Sequence, residues 1–134
     1  MGARSFDYSL HVPYAHVDKM GFVYYAHYFV YFEMARSAMF RQVGLPYMQL
    51  EERGVLLPVV VSHCEYKKPA RFDDQITVTI HNLELRGPLF HVDYLVRRNG
   101  DLIAQGYTDH VCMSHSGRVL KPAKELIRLV EEDP

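Results

Sequence analysis

Residues 14–36 read YAHVDKMGFVYYAHYFVYFEMAR, in which Asp18 and then Gly21 precede a long apolar run. From Ala26 to Val43 the chain has no glycine or proline, and 12 of these 18 residues are apolar or aromatic. Such a segment is long enough for a helix, but it is too apolar around its circumference for a helix that lies on a surface. We therefore predict a central helix that the rest of the protein surrounds. Asp18 is then close to the N-terminal end of this helix, where free backbone N–H groups gather.

Period-two alternation and turn signals predict five strands and two further helices around this central helix. Asn99-Gly100 is a strong hairpin signal, and Gly44 with Pro46 beyond it ends the central helix. The predicted strands are 6–12, 55–66, 75–85, 89–97 and 102–114, and the predicted shorter helices are 47–53 and 122–131.

Most of these strands follow one another through hairpins, which favours an antiparallel sheet. Because an apolar helix must be covered on most sides, a curved sheet wrapped around it satisfies both constraints. We predict an α+β fold of about five antiparallel strands around one long helix, in a single domain spanning residues 1–134. A second copy can cover the exposed sheet edges, so we expect a homodimer or homotetramer.

Composition and charge exclude several kinds of partner. The formal charge is -1, from 15 basic and 16 acidic residues without a long block of one sign, so nothing points to nucleic acid or to an anionic membrane. The two cysteines, Cys64 and Cys112, have no metal-finger spacing and fit free thiols in a reducing compartment. No window approaches the apolar length of a membrane span, and the N-terminus has no secretory apolar core. We expect a cytoplasmic protein without membrane insertion.

A spaced motif in residues 14–36 resembles the signature of hotdog-fold acyl-CoA thioesterases of the 4-hydroxybenzoyl-CoA thioesterase type, and it is most similar to the Tol-Pal-associated branch. Segments 44–46, 52–54 and 69–74 also resemble family segments in the expected order. The resemblance implies the hotdog fold, an acyl-CoA substrate, and hydrolysis without a metal or redox cofactor. The residues that carry the motif are Tyr14, Asp18, Gly21, Val23, Tyr24, Tyr28, Glu33 and Arg36.

Thioester hydrolysis requires a nucleophile, or a base that activates water, and a donor that stabilises the negative charge on the carbonyl oxygen. Asp18 can supply the first group, and the backbone amides of Tyr24 and Tyr25 at the helix N-terminus can supply the second. In the family that the motif resembles, the corresponding aspartate attacks the carbonyl or activates water, and the sequence leaves both routes open. Related sequences often have histidine where this chain has Tyr25. Its phenol can donate a hydrogen bond but cannot act as a base near pH 7.

Several of these residues also have purely structural interpretations. An aspartate before a helix most often caps that helix, and His16 and His27, the nearest imidazoles, suit structural roles. Glu33 and Arg36 are expected to form an ion pair that fixes the helix. The eight histidines include no HExxH, HxH or Cys/His cluster, so we predict no metal site. No GxSxG, GxGxxG or P-loop motif occurs, so the main signal for other common enzyme classes is missing.

A CoA ligand needs cations for its phosphates and an apolar slot for its acyl chain. Lys67, Lys68 and Arg71 cluster around a predicted strand end. Family members hold the nucleotide with basic residues at places that resemble Arg86 and Arg118, although all five cations would also suit an ordinary solvated surface. Two other functions stay open: a thioesterase that acts on acyl carrier protein, and a noncatalytic acyl-binding module with the same fold.

Overall fold

The structure is a computed structural model that describes residues 5–45 and 47–132, without the Tyr47 side chain. The helices are α1 (His27–Gln42), α2 (Tyr47–Glu52) and α3 (Lys124–Glu131), and a short 3-10 turn spans Tyr14–His16. The strands are β1 (Phe6–His11), β2 (Val59–Tyr66), β3 (Gln75–Arg86), β4 (Leu89–Arg98), β5 (Asp101–Met113) and β6 (Val119–Leu120). In the described residues, no helix combines the length and the apolar character that crossing a membrane requires.

One antiparallel sheet runs in the order β1-β3-β4-β5-β2, and the two-residue β6 pairs with the end of β5. Hairpins join β3 to β4 and β4 to β5. The second hairpin turns at Asn99 and Gly100, whose φ values are 52° and 83°, a conformation that an Asn-Gly pair adopts at low cost. β1 and β2 form the two edges of this order. The predicted α+β architecture of one sheet and one long helix is confirmed.

The sheet covers α1 through close aromatic packing. The Phe32 ring stacks parallel on the Tyr94 ring, with 4.1 Å between centroids. Gly106 makes this approach possible, because a Cβ at this position would overlap the His63 carbonyl oxygen and lie 3.0 Å from the Phe32 ring. The helix is not covered all round, since Val30 and Glu33 remain exposed.

Most element boundaries agree with the sequence prediction to within one or two residues, and β2 and β6 are the main differences. β2 begins at Val59 rather than at Val55, and before it Leu56 makes only an isolated bridge to Met113. Pro58 explains this delay, because a proline has no N–H to give to a strand ladder. β6 is too short to show alternation and was not predicted. Pro46, part of the predicted helix stop, lies outside the described residues.

The predicted ion pair between Glu33 and Arg36 is wrong. Arg36 lies against the sheet, where its guanidinium Nη1 donates to the Tyr94 hydroxyl at 3.0 Å. Glu33 faces solvent, and no ion pair joins the two within the described chain. Arg36 therefore ties α1 to β4, a contact that spacing along the helix could not reveal.

The Arg36 contact begins a buried chain of hydrogen bonds. The Tyr94 hydroxyl is 2.7 Å from Thr108 Oγ1, which is 2.9 Å from His110 Nε2. His110 Nδ1 is 3.3 Å from the Leu57 carbonyl oxygen, so this nitrogen carries the proton and Nε2 accepts. Burial, together with the charge of Arg36, lowers the pKa of His110 to about 4. Burial and this row of hydrogen bonds thus keep the His110 imidazole neutral.

We predict that this histidine makes the fold sensitive to acid. The unfolded chain takes up the proton near the reference pKa of 6.5 and the folded chain only near 4. The free energy of unfolding should therefore fall as pH drops from about 6.5 to about 4, by roughly 3 kcal/mol from this group. Denaturant unfolding across this pH range measures the slope. His110→Gln should flatten it, whereas His81→Gln, at an exposed histidine, is the matched control. An equal slope in the parent and in His110→Gln would contradict the assignment.

Candidate active site

The segment between β1 and α1 folds into a tight loop that presents Asp18. Val17 and Val23 form an isolated antiparallel bridge. Inside it, the Asp18 N–H donates to the Phe22 carbonyl oxygen at 2.8 Å, and the Gly21 N–H donates to the Asp18 carbonyl oxygen at 2.9 Å. Gly21 has a φ of 82°, in the left-handed region that glycine enters without a side-chain clash. The backbone therefore fixes the position of Asp18.

The two oxygens of the Asp18 carboxylate differ in their hydrogen bonds. Oδ1 accepts hydrogen bonds from the backbone N–H groups of Met20 at 2.9 Å and Phe22 at 3.3 Å. Oδ2 has no partner within the described residues. Asp18 does not cap α1, because the N-cap residue is Ala26, which makes no side-chain cap hydrogen bond. One oxygen thus orients the carboxylate while the other remains available.

The two backbone amides predicted as oxyanion donors differ in availability. The Tyr24 N–H already donates to the His16 carbonyl oxygen at 2.9 Å, so the expectation that this amide serves a substrate is not met. The Tyr25 N–H has no acceptor in the part of the chain that the structure describes. It lies just before α1, at the positive end of the helix dipole. Tyr25 therefore provides the available donor.

Asp18 and Tyr25 line the same cavity, which has a volume of about 300 Å³. The loop, the first turn of α1 and the end of β2 form its walls, and most of the lining side chains are apolar or aromatic. The predicted residues Lys67 and Lys68 also reach it. The remaining lining residues are Met20, Phe22, Val23, Tyr28, Tyr66 and Pro69.

The cations at the cavity rim remain partly tied to neighbouring carboxylates. Lys67 pairs with Glu65 at 3.2 Å, and Lys68 lies 3.7 Å from Asp101. All of these side chains are exposed, so the pairs exchange easily with solvent or with another anion. Arg71 does not line the cavity itself, but its guanidinium carbon lies 5.1 Å from the centre of the Phe22 ring that does.

Arg86 and Arg118 lie at the other end of the sheet. Arg86 closes the β3–β4 hairpin, where its Nε contacts Glu84 at 2.9 Å, and Arg118 precedes β6. Lys67, by contrast, hydrogen-bonds to Ile103 near the start of the 13-residue β5. At about 3.3 Å per residue, roughly 30 Å separates Ile103 from Cys112, which pairs with β6 near the other end of this strand. Within a single subunit, the structure therefore does not bring Arg86 and Arg118 together with Lys67, Lys68 and Arg71.

Tyr66 and Tyr28 are cavity residues that the sequence prediction missed. The Tyr66 hydroxyl donates to the Tyr25 carbonyl oxygen at 3.1 Å, and the Tyr66 ring packs edge-on against Tyr28 with 5.1 Å between centroids. Burial raises the pKa of Tyr66, which keeps this phenol a donor. Tyr28 belongs to the motif in residues 14–36, and its position in the first turn of α1, three residues after Tyr25, could have suggested that it lines the cavity. No local signal could have connected Tyr66, from a distant strand, to Tyr25.

The neighbouring histidines and cysteine are weaker candidates than Asp18 for the catalytic base or nucleophile. His16 Nδ1 lies 2.8 Å from the Tyr31 hydroxyl, its ring stacks on His27 at 4.1 Å, and neither imidazole lines the cavity. Burial and the proximity of His27 lower the pKa of His16. Burial raises the pKa of the Cys64 thiol to about 11, so this cysteine is not a thiolate nucleophile near neutral pH. Both cysteines are free, as predicted.

One group of possible metal ligands occurs among the described residues, away from this cavity. The ligand atoms of Glu84, His91 and Asp93 lie within 4.8 Å of one another. Asn82 donates to both carboxylates of this group, and Arg86 pairs with Glu84. The carboxylates thus already have partners, and the absence of a metal site stays a prediction.

The family model described as "Thioesterase-like superfamily" matches residues 12–129, which include the loop, α1 and the whole sheet from β2 to β6. The chain belongs to this superfamily. The match and the similarity to solved thioesterases confirm the predicted hotdog fold and the predicted enzyme class, a thioester hydrolase.

Three proteins illustrate how similar the members of this superfamily are to this chain. A candidate esterase of Aquifex aeolicus is 32% identical over 127 residues, which cover 95% of this chain and 98% of the relative. A candidate acyl-CoA thioesterase of Bacillus subtilis, YneP, is 31% identical over 105 residues, covering 78% and 76%. A crystal structure of a 4-hydroxybenzoyl-CoA thioesterase mutant complexed with 4-hydroxybenzoyl-CoA is 25% identical, with a TM-score of 0.86 over 96% of this chain and 100% of the other.

Proposed function

We propose that this thioesterase-like protein hydrolyses acyl-CoA thioesters to a carboxylic acid and CoA. The observation that carries the proposal is the cavity that Asp18 and Tyr25 line together, since Asp18 Oδ2 and the Tyr25 N–H each lack a partner among the described residues. A carboxylate and an unpaired N–H at a helix N-terminus are the two groups that acyl transfer needs. The apolar walls of this cavity suit an acyl chain.

In the proposed reaction, the thioester carbonyl oxygen accepts a hydrogen bond from the Tyr25 N–H, and the carbonyl carbon faces Asp18. Asp18 either attacks this carbon, forming an anhydride that water then hydrolyses, or removes a proton from an attacking water. In both routes negative charge gathers on the carbonyl oxygen, where the amide and the dipole of α1 stabilise it. When this charge returns to the carbonyl group the C–S bond breaks, which in the first route forms the anhydride before water attacks it, and CoA leaves as a thiolate that takes up a proton.

The names of two relatives support this choice of substrate and residue. The Bacillus subtilis relative is named as a candidate acyl-CoA thioesterase. The solved complex holds 4-hydroxybenzoyl-CoA on a mutant in which asparagine replaces aspartate. We accordingly propose that this chain is of the 4-hydroxybenzoyl-CoA thioesterase type, most similar to the Tol-Pal-associated branch, and that it acts in the cytoplasm, where its two thiols stay reduced.

We further propose a homodimer formed through the β2 edge, with a homotetramer built from two such dimers as the alternative. Val59, Val60 and Val61 on this edge are each more than 40% exposed, which is unusual for three consecutive valines on an edge strand. Pairing β2 with β2 of a second copy would cover them and would supply the missing ladder partners.

An antiparallel β2–β2 pair would also bring the predicted cations of two subunits toward the same cavity. A two-fold axis through this pair sets the Val59 end of one β2 beside the Tyr66 end of the other. Arg86 and Arg118 of the partner subunit would then lie toward the end of the dimer that holds this subunit's cavity. Together with Lys67, Lys68 and Arg71, they would offer the phosphates of CoA a basic rim.

We predict that Asp18→Asn lowers kcat for acyl-CoA hydrolysis by at least about a hundredfold, because the variant can neither attack nor accept a proton. The asparagine oxygen can still accept from the Met20 and Phe22 N–H groups, so the fold should be kept. A thiol-release assay measures the rate, and circular dichroism measures the fold. Asp73→Asn is the matched control, because Asp73 has a φ of 67°, which asparagine also tolerates.

The same assay separates the alternatives. Near-parental turnover by Asp18→Asn would contradict the role of Asp18. Thiol release only from acyl carrier protein thioesters would favour a carrier-protein thioesterase, and acyl binding without any thiol release would favour a noncatalytic module.

For the dimer, we predict that Val60→Lys shifts the protein toward monomers and lowers its activity, because a lysine on an edge strand opposes edge pairing. Sedimentation velocity gives the assembly state, and thiol release gives the activity of the same sample. Val119→Lys, at an exposed valine on β6, should leave both unchanged. A strictly monomeric parent protein with full activity would contradict the proposed shared site.

A further inference from the structure

We propose that Tyr66 is a positioning residue that aims the Tyr25 N–H at the thioester carbonyl. The inference rests on the function proposed above and assigns a role to a residue outside the motif in residues 14–36. Its starting point is the hydrogen bond from the Tyr66 hydroxyl to the Tyr25 carbonyl oxygen, 3.1 Å long.

The peptide unit that carries the Tyr25 N–H lies between two anchored neighbours. On its N-terminal side, the Tyr24 N–H is held by the His16 carbonyl oxygen at 2.9 Å. On its C-terminal side, the Tyr25 carbonyl oxygen accepts from the Tyr28 N–H at 3.2 Å and from the Tyr66 hydroxyl. The unit itself is also held through its own carbonyl group, since the Tyr24 oxygen accepts from the His27 N–H at 2.9 Å. This bond and the two flanking anchors together fix the plane of the unit, and with it the direction of the free N–H.

Tyr66 is itself held firmly enough to act as this anchor. It ends β2, and the next two residues, Lys67 and Lys68, both donate backbone hydrogen bonds to Ile103 on β5, at 2.8 and 3.1 Å. Its ring packs edge-on against the rings of Tyr25 and Tyr28. The Tyr66 hydroxyl thus links the N-terminal end of α1 to the sheet.

Rate and stability should respond differently to the loss of this hydroxyl. Without it, the Tyr25 carbonyl oxygen keeps the Tyr28 N–H as a donor, and the site is exposed enough for water to replace the lost bond. The cost in folding free energy should therefore stay as small as is usual for one hydrogen bond that water can replace. The rate of thioester hydrolysis depends instead on the direction of the single Tyr25 N–H, and a misplaced group in an active site lowers the rate strongly.

We expect Tyr66→Phe to lower kcat about tenfold while KM changes less than about twofold, because a misaimed donor loses part of the roughly hundredfold or larger effect of one oxyanion donor. The phenylalanine ring keeps the contacts with Tyr25 and Tyr28. Tyr107→Phe is the matched control, since Tyr107 lies on β5 facing away from α1 and between His63 and His91. Thermal unfolding of all variants shows whether stability accounts for the rate.

Infrared spectroscopy provides a measurement that a change in stability alone would not alter. Acyl-CoA labelled with ¹³C at the carbonyl is bound to Asp18→Asn, and its C=O stretch reports the hydrogen bond from the Tyr25 N–H. In the double variant Asp18→Asn/Tyr66→Phe, this stretch should move toward that of the free thioester. An unchanged stretch would overturn the proposal even if the rate fell.

The kinetic outcomes separate this inference from the proposed function. A parent protein that releases no thiol overturns both. Hydrolysis that depends on Asp18 but is unaffected in Tyr66→Phe overturns the positioning role alone. A rise in KM with kcat unchanged also overturns it, because Tyr66 would then contact the bound substrate rather than act through Tyr25.

Discussion

The stacking of Phe32 on Tyr94 determines how close α1 comes to the sheet, and the site depends on this distance. Gly106 on β5 leaves room for the 4.1 Å separation between the rings, because a Cβ there would lie 3.0 Å from the Phe32 ring and would also overlap the His63 carbonyl oxygen of β2. With the helix held there, its N-terminal end lies beside the end of β2, and the loop that carries Asp18 closes the third side of the cavity. A helix placed farther from the sheet would separate Tyr25 from Tyr66.

The site divides two tasks between neighbouring pieces of backbone. The loop of residues 17–23 uses its own N–H groups to orient the Asp18 carboxylate and leaves one oxygen free. The segment before α1 commits the Tyr24 N–H to His16 and leaves the Tyr25 N–H free. Neither group needs an ionisable neighbour for its placement.

Features that depend on residues close together in the sequence could be predicted. The alternation in β3 to β5, the Asn-Gly turn and the apolar run of α1 gave the architecture, and the motif around Asp18 gave the loop. The features that could not be predicted connect distant segments, as Arg36 with Tyr94 and Tyr66 with Tyr25 do, or depend on the path of a loop, as the contact of Tyr24 with His16 does. The positions of Arg86 and Arg118 could not be predicted for the same reason, because the sequence shows their charge but not the end of the sheet on which they lie.

The most direct test is a crystal structure of Asp18→Asn with an unhydrolysed acyl-CoA bound. Our account predicts the acyl group in the cavity between α1 and the end of β2, with the thioester carbonyl oxygen about 2.7–3.1 Å from the Tyr25 nitrogen. The carbonyl carbon should face the side chain at position 18. A carbonyl oxygen turned away from Tyr25, or an acyl group bound elsewhere on the protein, would contradict it.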